Sequence, residues 1–374
     1  MRHSRLLQPG RYAAALVAAA FVLTGTSFFA ASASAATMAS QPARASLSVP
    51  GALTGVTTIS SSDAWAVGAT DTNPNSPILA HWDGKSWATV SSPALPSHGR
   101  LTAVTKFHGG SWAVGAASGQ PLILRLTGST AHRVAAPKVQ HGLLIGVSAT
   151  SARNAWAVGG IGFGQALIMH WNGKTWKRTA LARHPGASFL TGVAATTAAN
   201  AWAVGSTSRG GPAILHWNGK QWSRAAIPPP AGKPYLLTGV AALSSSNAWA
   251  VGFTTDPSHS TTTVILHWNG SKWIRVKSPN PFPGGEGDGL LGVSSSSAHN
   301  VWAVGGGFSG FDGTPMTMHL TGSTWRSVPT PISTGTLAGV SIAPSGRGWA
   351  VGQSTGTTNT ERPLILHWNG TAWH

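Results

Sequence analysis

Eight carboxylates, fifteen histidines and no cysteine are the groups in this chain suited to acid–base, metal or nucleophilic chemistry. Without cysteine there is no disulfide, no zinc–thiolate site and no thiol nucleophile. Glycoside hydrolysis needs two positioned carboxylates, so each of the eight can be weighed. Asp63 and Asp83 stand where sister segments carry Asn in turns, and turn chemistry alone accounts for them. The other six are Asp71, Asp256, Glu286, Asp288, Asp312 and Glu361. Asp256, Glu286, Asp288 and Asp312 fall in neighbouring stretches that also carry Phe308 and Phe311. Oxygen ligands beside an aromatic face suit calcium, a cationic ligand or a sugar. This set is the candidate ligand-binding sector, with calcium as the one cofactor it suggests, and the one place where two carboxylates are expected to lie close. Six histidines, at 81, 170, 216, 267, 319 and 367, recur at one position of a repeat. Zinc needs convergent ligands at about 2 Å, and a repeat spreads equivalent residues apart. Hydrogen bonding between neighbouring units is the expected role.

The repeat that spreads them is explicit. Trp-Ala-Val-Gly recurs with Trp at 65, 112, 156, 202, 249, 302 and 349, at spacings of 44 to 53 residues. A leader such as Leu190-Thr-Gly-Val193 precedes each copy, and a segment such as Ile214-Leu-His-Trp-Asn-Gly219 followed by Trp222 comes after it. The second unit departs from the pattern, with Arg125-Leu-Thr-Gly128 for His-Trp-Asn-Gly and Ala131 for the last Trp. Each unit reads as four strands. Strand a is the leader, strand b carries Trp-Ala-Val-Gly, and strand c carries Leu-His-Trp. Asn-Gly is expected to form a type I′ turn, and strand d runs from the last Trp towards prolines. Four strands in about 47 residues, seven times over, is the arithmetic of an all-β, seven-bladed β-propeller. Apolar residues show no helical period. All 18 tryptophans fall on this lattice, which marks them as packing between blades rather than as a sugar platform confined to a few.

The first residues have a different character. Arg2, Arg5 and Arg11 precede an apolar run from Ala13 to Leu23 and a small-residue site at Ala33-Ser-Ala35. A basic start, a short apolar run and a small-x-small site read as a secretory signal peptide. The expected division is a signal peptide at 1–36, a linker at 37–44 and the propeller at 45–374. The apolar run is too short to favour a membrane span. The seventh unit stops at Trp373-His374, where its strand d should begin. Ala45-Ser-Leu-Ser-Val-Pro50 resembles the d strand Ala88-Thr-Val-Ser-Ser-Pro93, so the N-terminal segment is expected to supply the outer strand of the last blade.

Beyond the leader, 22 basic residues face 8 acidic ones, a balance that favours anionic partners. Half of these cations lie on strand d or the turn into it, among them Lys177, Arg178, Arg224, Arg275 and Lys277. Charged edge strands oppose edge-to-edge aggregation. They would also form a positive rim able to hold an anionic wall polymer. Nucleic acid is the poorer partner, because no free aromatics interleave with these cations.

These units resemble secreted actinobacterial proteins built from Trp-Ala-Val-Gly and Leu-His-Trp-Asn-Gly repeats, over Leu53 to Trp373. They are more loosely similar to kelch-type and Asp-box propellers. Asp-box similarity implies a sialidase-like arginine triad with a Tyr–Glu pair. Beyond the leader this chain has one tyrosine, Tyr235, and no arginine triplet at matching positions. The reading is therefore an exported, monomeric, non-enzymatic binding or adhesion propeller for wall polysaccharide or a protein partner. A glycosidase-like enzyme using the carboxylates around blades five and six is the alternative. In an up-and-down blade the b–c and d–a connections share one face, and variable loops on a rigid scaffold are where binding usually sits.

Overall fold

The computed structural model describes residues 47–374 except 163, 182–185, 230–232, 256–260, 283–286, 308–312 and 356–359. The segment read as a signal peptide and linker lies outside the described residues. Every repeat folds as an antiparallel sheet in chain order. Blade one consists of strands a Ala52–Ser60, b Asp63–Ala69, c Pro77–Trp82 and d Trp87–Thr89. Blades two to six occupy 100–133, 142–178, 189–224, 235–276 and 288–328. Blade seven comprises Thr336–Ile342, Gly348–Thr355 and Glu361–Trp368. The seven blades form a β-propeller, and no helix occurs among the described residues.

Strand a lines the axis, because successive a strands touch backbone to backbone. A Cβ placed on Gly146 would lie 3.1 Å from Gly192 Cα, and one on Gly339 would lie 3.2 Å from Gly55 Cα. The second contact joins blade seven to blade one. The Thr of the leader sits in a β-bulge between Leu and Gly, as at Leu53/Gly55 and Leu190/Gly192. The bulge aims the Thr hydroxyl at the following blade. Thr54, Thr102, Thr191 and Thr238 donate to Leu101 O, Leu144 O, Leu237 O and Leu290 O at 3.2, 2.8, 2.9 and 2.7 Å.

The bulge also explains the last residue of Trp-Ala-Val-Gly. A Cβ on Gly68, Gly115, Gly159, Gly205, Gly252, Gly305 or Gly352 would come within 1.9–2.1 Å of a carbonyl oxygen on strand a. No side chain fits there. Alternation along strand b sends Trp65 and Val67 towards blade two and Ala64 and Ala66 towards blade seven. The core is accordingly seven seams, each filled by two adjacent blades.

Tryptophan dominates most seams. The b-strand Trp of one blade packs against the c and d Trp of the next. Trp112 lies 5.0 Å from Trp171 and 5.2 Å from Trp176, and Trp202 lies 4.8 Å from Trp268 and 5.1 Å from Trp273. The pair to the d strand is edge-on, at 82° and 86° in these two seams, the geometry that aromatic quadrupoles favour. Where unit two departs from the repeat, Leu126 and Ala131 meet Trp65 instead. In blade six Leu320 replaces the c-strand Trp and Trp325 remains.

The ring closes through the same contact. Trp349 of blade seven lies 4.9 Å from Trp82 and 5.2 Å from Trp87. Thr58 N and Oγ1 donate to Ser341 Oγ and O, both at 2.9 Å. The C-terminus begins the fourth strand of blade seven, since His367 and His374 exchange two backbone bonds of 2.9 Å and Trp368 bridges Trp373. Of the segment expected to complete that strand, Ala45 and Ser46 lie outside the described residues. Leu47–Pro50 form no ladder of their own. They act by packing: Leu47 is buried with Trp349, Val351 and Ile365, as Val90 packs beside Trp65, Val67 and Leu79.

The c–d turns differ from the expected type I′. Trp171 pairs with Trp176, so the loop has four residues. Asn172 Oδ1 accepts from the amides of Lys174 and Thr175 at 3.0 and 2.9 Å, and Gly173 has φ +92°. The Asn side chain thus caps the turn, and only Gly needs positive φ. Blades two and six, which carry Leu-Thr-Gly-Ser, use two-residue turns instead, with Gly128 at φ +54° and Gly322 at +63°.

If the closing seam holds the ring, Trp349→Ala should cost about 4 kcal/mol, as for other buried Trp truncations. For a domain of this size that is a fall of roughly 6 °C in melting temperature. Differential scanning calorimetry checks it, and an unchanged transition would mean that blades seven and one are not packed together.

Candidate functional site

The six repeated histidines are the most regular titratable groups in the chain. On strand c each ring stacks on the b-strand Trp of its own blade, at centroid distances of 4.1 Å for Trp156–His170 and 4.2 Å for Trp202–His216. Nε2 meets the residue that opens strand b. The distances are 2.7 Å for His170–Asn154, 2.8 Å for His216–Asn200, 3.2 Å for His267–Asn247, 3.1 Å for His319–Asn300 and 2.9 Å for His81–Asp63. The expected link between blades is therefore a link within each blade. Strand c is hydrogen-bonded to b, and the shared register brings His216 opposite Trp202, two residues from Asn200. In blades three, four and six the Asn Nδ2 donates to Thr150, Thr196 or Ser296. Its Oδ1 then faces His, which must donate from Nε2–H. In blade two Arg125 takes the His place and lies 5.5 Å over Phe107 and 6.0 Å over Trp112.

These histidines are scaffold. His81, His170, His216, His267 and His319 occupy Nε2 within their own blades, and His367 packs on Trp349 at 4.6 Å. Burial lowers the pKa of His170, His216, His267 and His319 below the ordinary value. It does the same for His367, where Arg347 and then His374 add to the effect. The tryptophans are spent likewise. The indole N–H groups of Trp82, Trp171, Trp217 and Trp268 donate to carbonyls of the a–b turn at 2.9–3.1 Å.

The opposite face carries the b–c and d–a connections. Backbone bonds stitch them together: Gly99 N to Asn75 O at 2.8 Å and Gly335 N to Gly313 O at 2.6 Å cross from one blade to the next, and Thr255 N to Pro234 O at 2.7 Å extends the a–b pairing of blade five. Of the predicted ligand-binding set, Asp256, Glu286, Phe308, Phe311 and Asp312 lie outside the described residues. Asp288 is described. It opens strand a of blade six and is only 2% exposed. Its N–H donates to Thr261 O at 2.9 Å, and its Oδ2 accepts from Phe282 N at 3.3 Å. Burial raises its pKa, and the Phe282 bond opposes that rise. Among the described residues Oδ1 has no donor, and the neighbouring Thr261 Oγ1 is likewise buried and unpaired. Asp288 thus ties the blade five–six connection from beneath. Tyr235 does the same one blade earlier, its hydroxyl donating to Pro228 O at 2.9 Å and its pKa pushed up to about 12 by burial against the opposing charge of Arg275. Among the described residues no three potential metal ligands converge.

A second carboxylate pair was not anticipated. Glu361 opens strand c of blade seven, and Asp71 lies in the b–c loop of blade one. Burial raises the Glu361 pKa, the Asp71 charge raises it further, and a 3.1 Å bond from Gln353 Nε2 opposes both. Glu361 O also accepts from Gly51 N at 2.9 Å. Only ring closure brings these residues together. The sole signal in the sequence was that both flank the join of the first and last units.

Lys177, Arg178, Arg224, Arg275 and Lys277 are all exposed, on strand d or just beyond it. No helix among the described residues is long and apolar enough to cross a membrane.

A seven-bladed propeller with its variable connections on one face is the class that this geometry defines. Two solved propellers are similar to it. YCF48 bound to D1 peptide shares 16% identity, with a TM-score of 0.55, over 85% of this chain and 95% of that one. YCF48 from Cyanidioschyzon merolae shares 18% identity, with a TM-score of 0.56, over 86% and 98%. This likeness is one of fold. No model of a known family matches the chain, and no curated protein matches it.

The histidines set a pH dependence. The folded pKa of His170, His216, His267, His319 and His367 lies below the unfolded value of about 6.5, so the unfolded chain binds more protons in that window. The stability they contribute is complete above that value and is lost as pH falls below it. Melting temperature should drop between pH 7 and pH 5, and His216→Gln should flatten the drop. A pH-independent melting curve would show that these rings are not held neutral.

Proposed function

We propose that this chain is an exported, non-enzymatic binding propeller that takes a protein or polysaccharide partner on its b–c/d–a face. One observation carries the reading. The a–b turns are two residues long in six of seven blades, whereas the b–c connections range from two residues in blade two to eight in blade five. Packing constrains one face and leaves the other free to vary. The repeated His and Trp residues, which might have supplied chemistry in every blade, are engaged in that packing instead. A propeller of similar fold, YCF48 bound to D1 peptide, supports a peptide or protein as partner by analogy of architecture. Export rests on the basic and apolar leader.

Calcium on Asp256, Glu286, Asp288 and Asp312 belongs to the same proposal. A cation would satisfy the buried Asp288 Oδ1, which has no donor among the described residues. A melting temperature indifferent to both calcium and EDTA would remove this element.

The test of the face is a loop graft. Ser118-Gly119, the two-residue b–c turn of blade two, has φ +50° and +68°, both positive as a type I′ turn requires. It replaces residues 255–262 of blade five, and both proteins are applied to arrays of peptides and cell-envelope polysaccharides. The graft should still melt in one cooperative transition, lowered by loss of the Thr261–Asp288 bond, and lose at least tenfold in affinity for whatever the parent chain binds. Full retention of binding would place the partner elsewhere.

The glycosidase alternative now has a specific pair to examine. A carboxyl with raised pKa beside a second carboxylate is the pattern of a proton donor, and burial followed by the Asp71 charge raises the Glu361 pKa. On the binding reading no polysaccharide releases reducing ends. Hydrolysis that is abolished by Glu361→Gln would establish the enzyme instead.

A further inference from the structure

Charge is not spread evenly around the ring. Residues 100–277, which form blades two to five, hold 17 Lys and Arg and a single acid, Asp256. The rest of the chain from residue 45 holds 4 basic and 7 acidic residues. Four adjacent blades therefore form one strongly positive arc, and the other three carry the negative charge.

The ladders show how this arc is built. Arg133, Arg178, Arg224 and Arg275 pair with Leu124, Met169, Leu215 and Leu266, the same register position of strand d in blades two to five. All four are exposed at the outer edge. Blade one has Thr89 at that position and blade six has Ser327. A second tier runs along the c–d turns of blades three to five, with exposed Lys174, Lys220 and Lys272. Among the described residues the one ion pair is His81–Asp63 in blade one, so no carboxylate offsets these arginines. Edge protection against aggregation would call for charge on every outer strand. It does not account for four aligned arginines on one side and an uncharged Trp87-Ala-Thr89 on the other.

We infer that this arc is a docking surface for a linear, flexible polyanion, specifically a phosphodiester-linked polyol chain. A planar guanidinium fork matches phosphate oxygens in a way that a lysine does not, and arginine holds the aligned position in all four blades. A flexible chain can follow a convex edge from blade to blade. The aromatic rings beside the arginines are withdrawn: Trp176, Trp222, Trp273 and Tyr235 are all buried. Single-stranded nucleic acids gain much of their affinity from aromatic platforms, and the indole rings of these d strands are buried. A polyol phosphate has no ring to stack and loses nothing. The arc is separate from the b–c/d–a face, so either surface can fail without the other.

The experiment is fluorescence anisotropy of a labelled poly(glycerol phosphate) chain with the protein from 0.05 to 1 M NaCl. The chain should bind at low salt and release at high salt. The quadruple change R133Q/R178Q/R224Q/R275Q should weaken binding at least tenfold and make the log–log salt slope shallower by roughly 3, about 0.7 per lost phosphate contact. The charge-conserving set R133K/R178K/R224K/R275K should lose less, and it keeps the test valid if the Gln set folds poorly. Neutralising Lys85, Arg326 and Arg347 on the other side should change little. No binding at low salt, equal loss from both sides of the ring, or tighter binding of a single-stranded oligonucleotide of equal charge would each overturn the proposal.

Discussion

The contact on which the molecule depends is a tryptophan of one blade packed against two tryptophans of the next. No disulfide is possible, and charged side chains are only 9% of the chain, so neither covalent closure nor ion-pair networks can hold seven sheets in a ring. Each aromatic pair adds about 0.5–1.5 kcal/mol beyond the area it buries. The indole N–H groups of the d-strand tryptophans find no acceptor, so these seams work by area and ring geometry rather than by hydrogen bonds. The same contact recurs between Trp349, Trp82 and Trp87, which makes the closing seam chemically like the internal ones.

This contact governs the rest of the repeat. Trp must face forward from strand b, so Ala faces back into the preceding seam. The bulge that lets a leader Thr reach the next blade drives a carbonyl into the space where the residue after Val would carry its Cβ, and only Gly remains. The histidine stacks on this Trp, and in five blades burial lowers its pKa. The residues with the most chemical potential are consumed in building the ring, and freedom to vary is left to loops on one face and to charges on the outer edge.

Architecture was legible in the sequence because it is repeated. Seven copies of Trp-Ala-Val-Gly gave the blade count, the strand order and the interblade role of tryptophan before any coordinates. Where the reading failed, the cause was local geometry that spacing does not encode. The histidine bond lies inside the blade because antiparallel register sets strand c opposite strand b. Asn-Gly forms a four-residue side-chain-capped turn because the flanking Trp171 and Trp176 pair directly. The candidate site was far less legible. Its residues lie outside the repeat, and Asp288, singled out as a ligand, proves to be buried beneath the connection it anchors. Asp71 and Glu361 meet only through closure of the ring, a contact between the two ends of the chain that no local pattern reports.

The central claim is that the aromatic seams make seven sheets one cooperative ring, and native-state hydrogen exchange tests it most directly. Amides of the b strands in all seven blades should exchange with a single common free energy, equal to that of global unfolding. This should hold even for blade two, whose seam with blade one has Leu126 and Ala131 in place of tryptophan. Separate, lower opening energies for individual blades, with blade two or blade seven opening alone, would contradict the account.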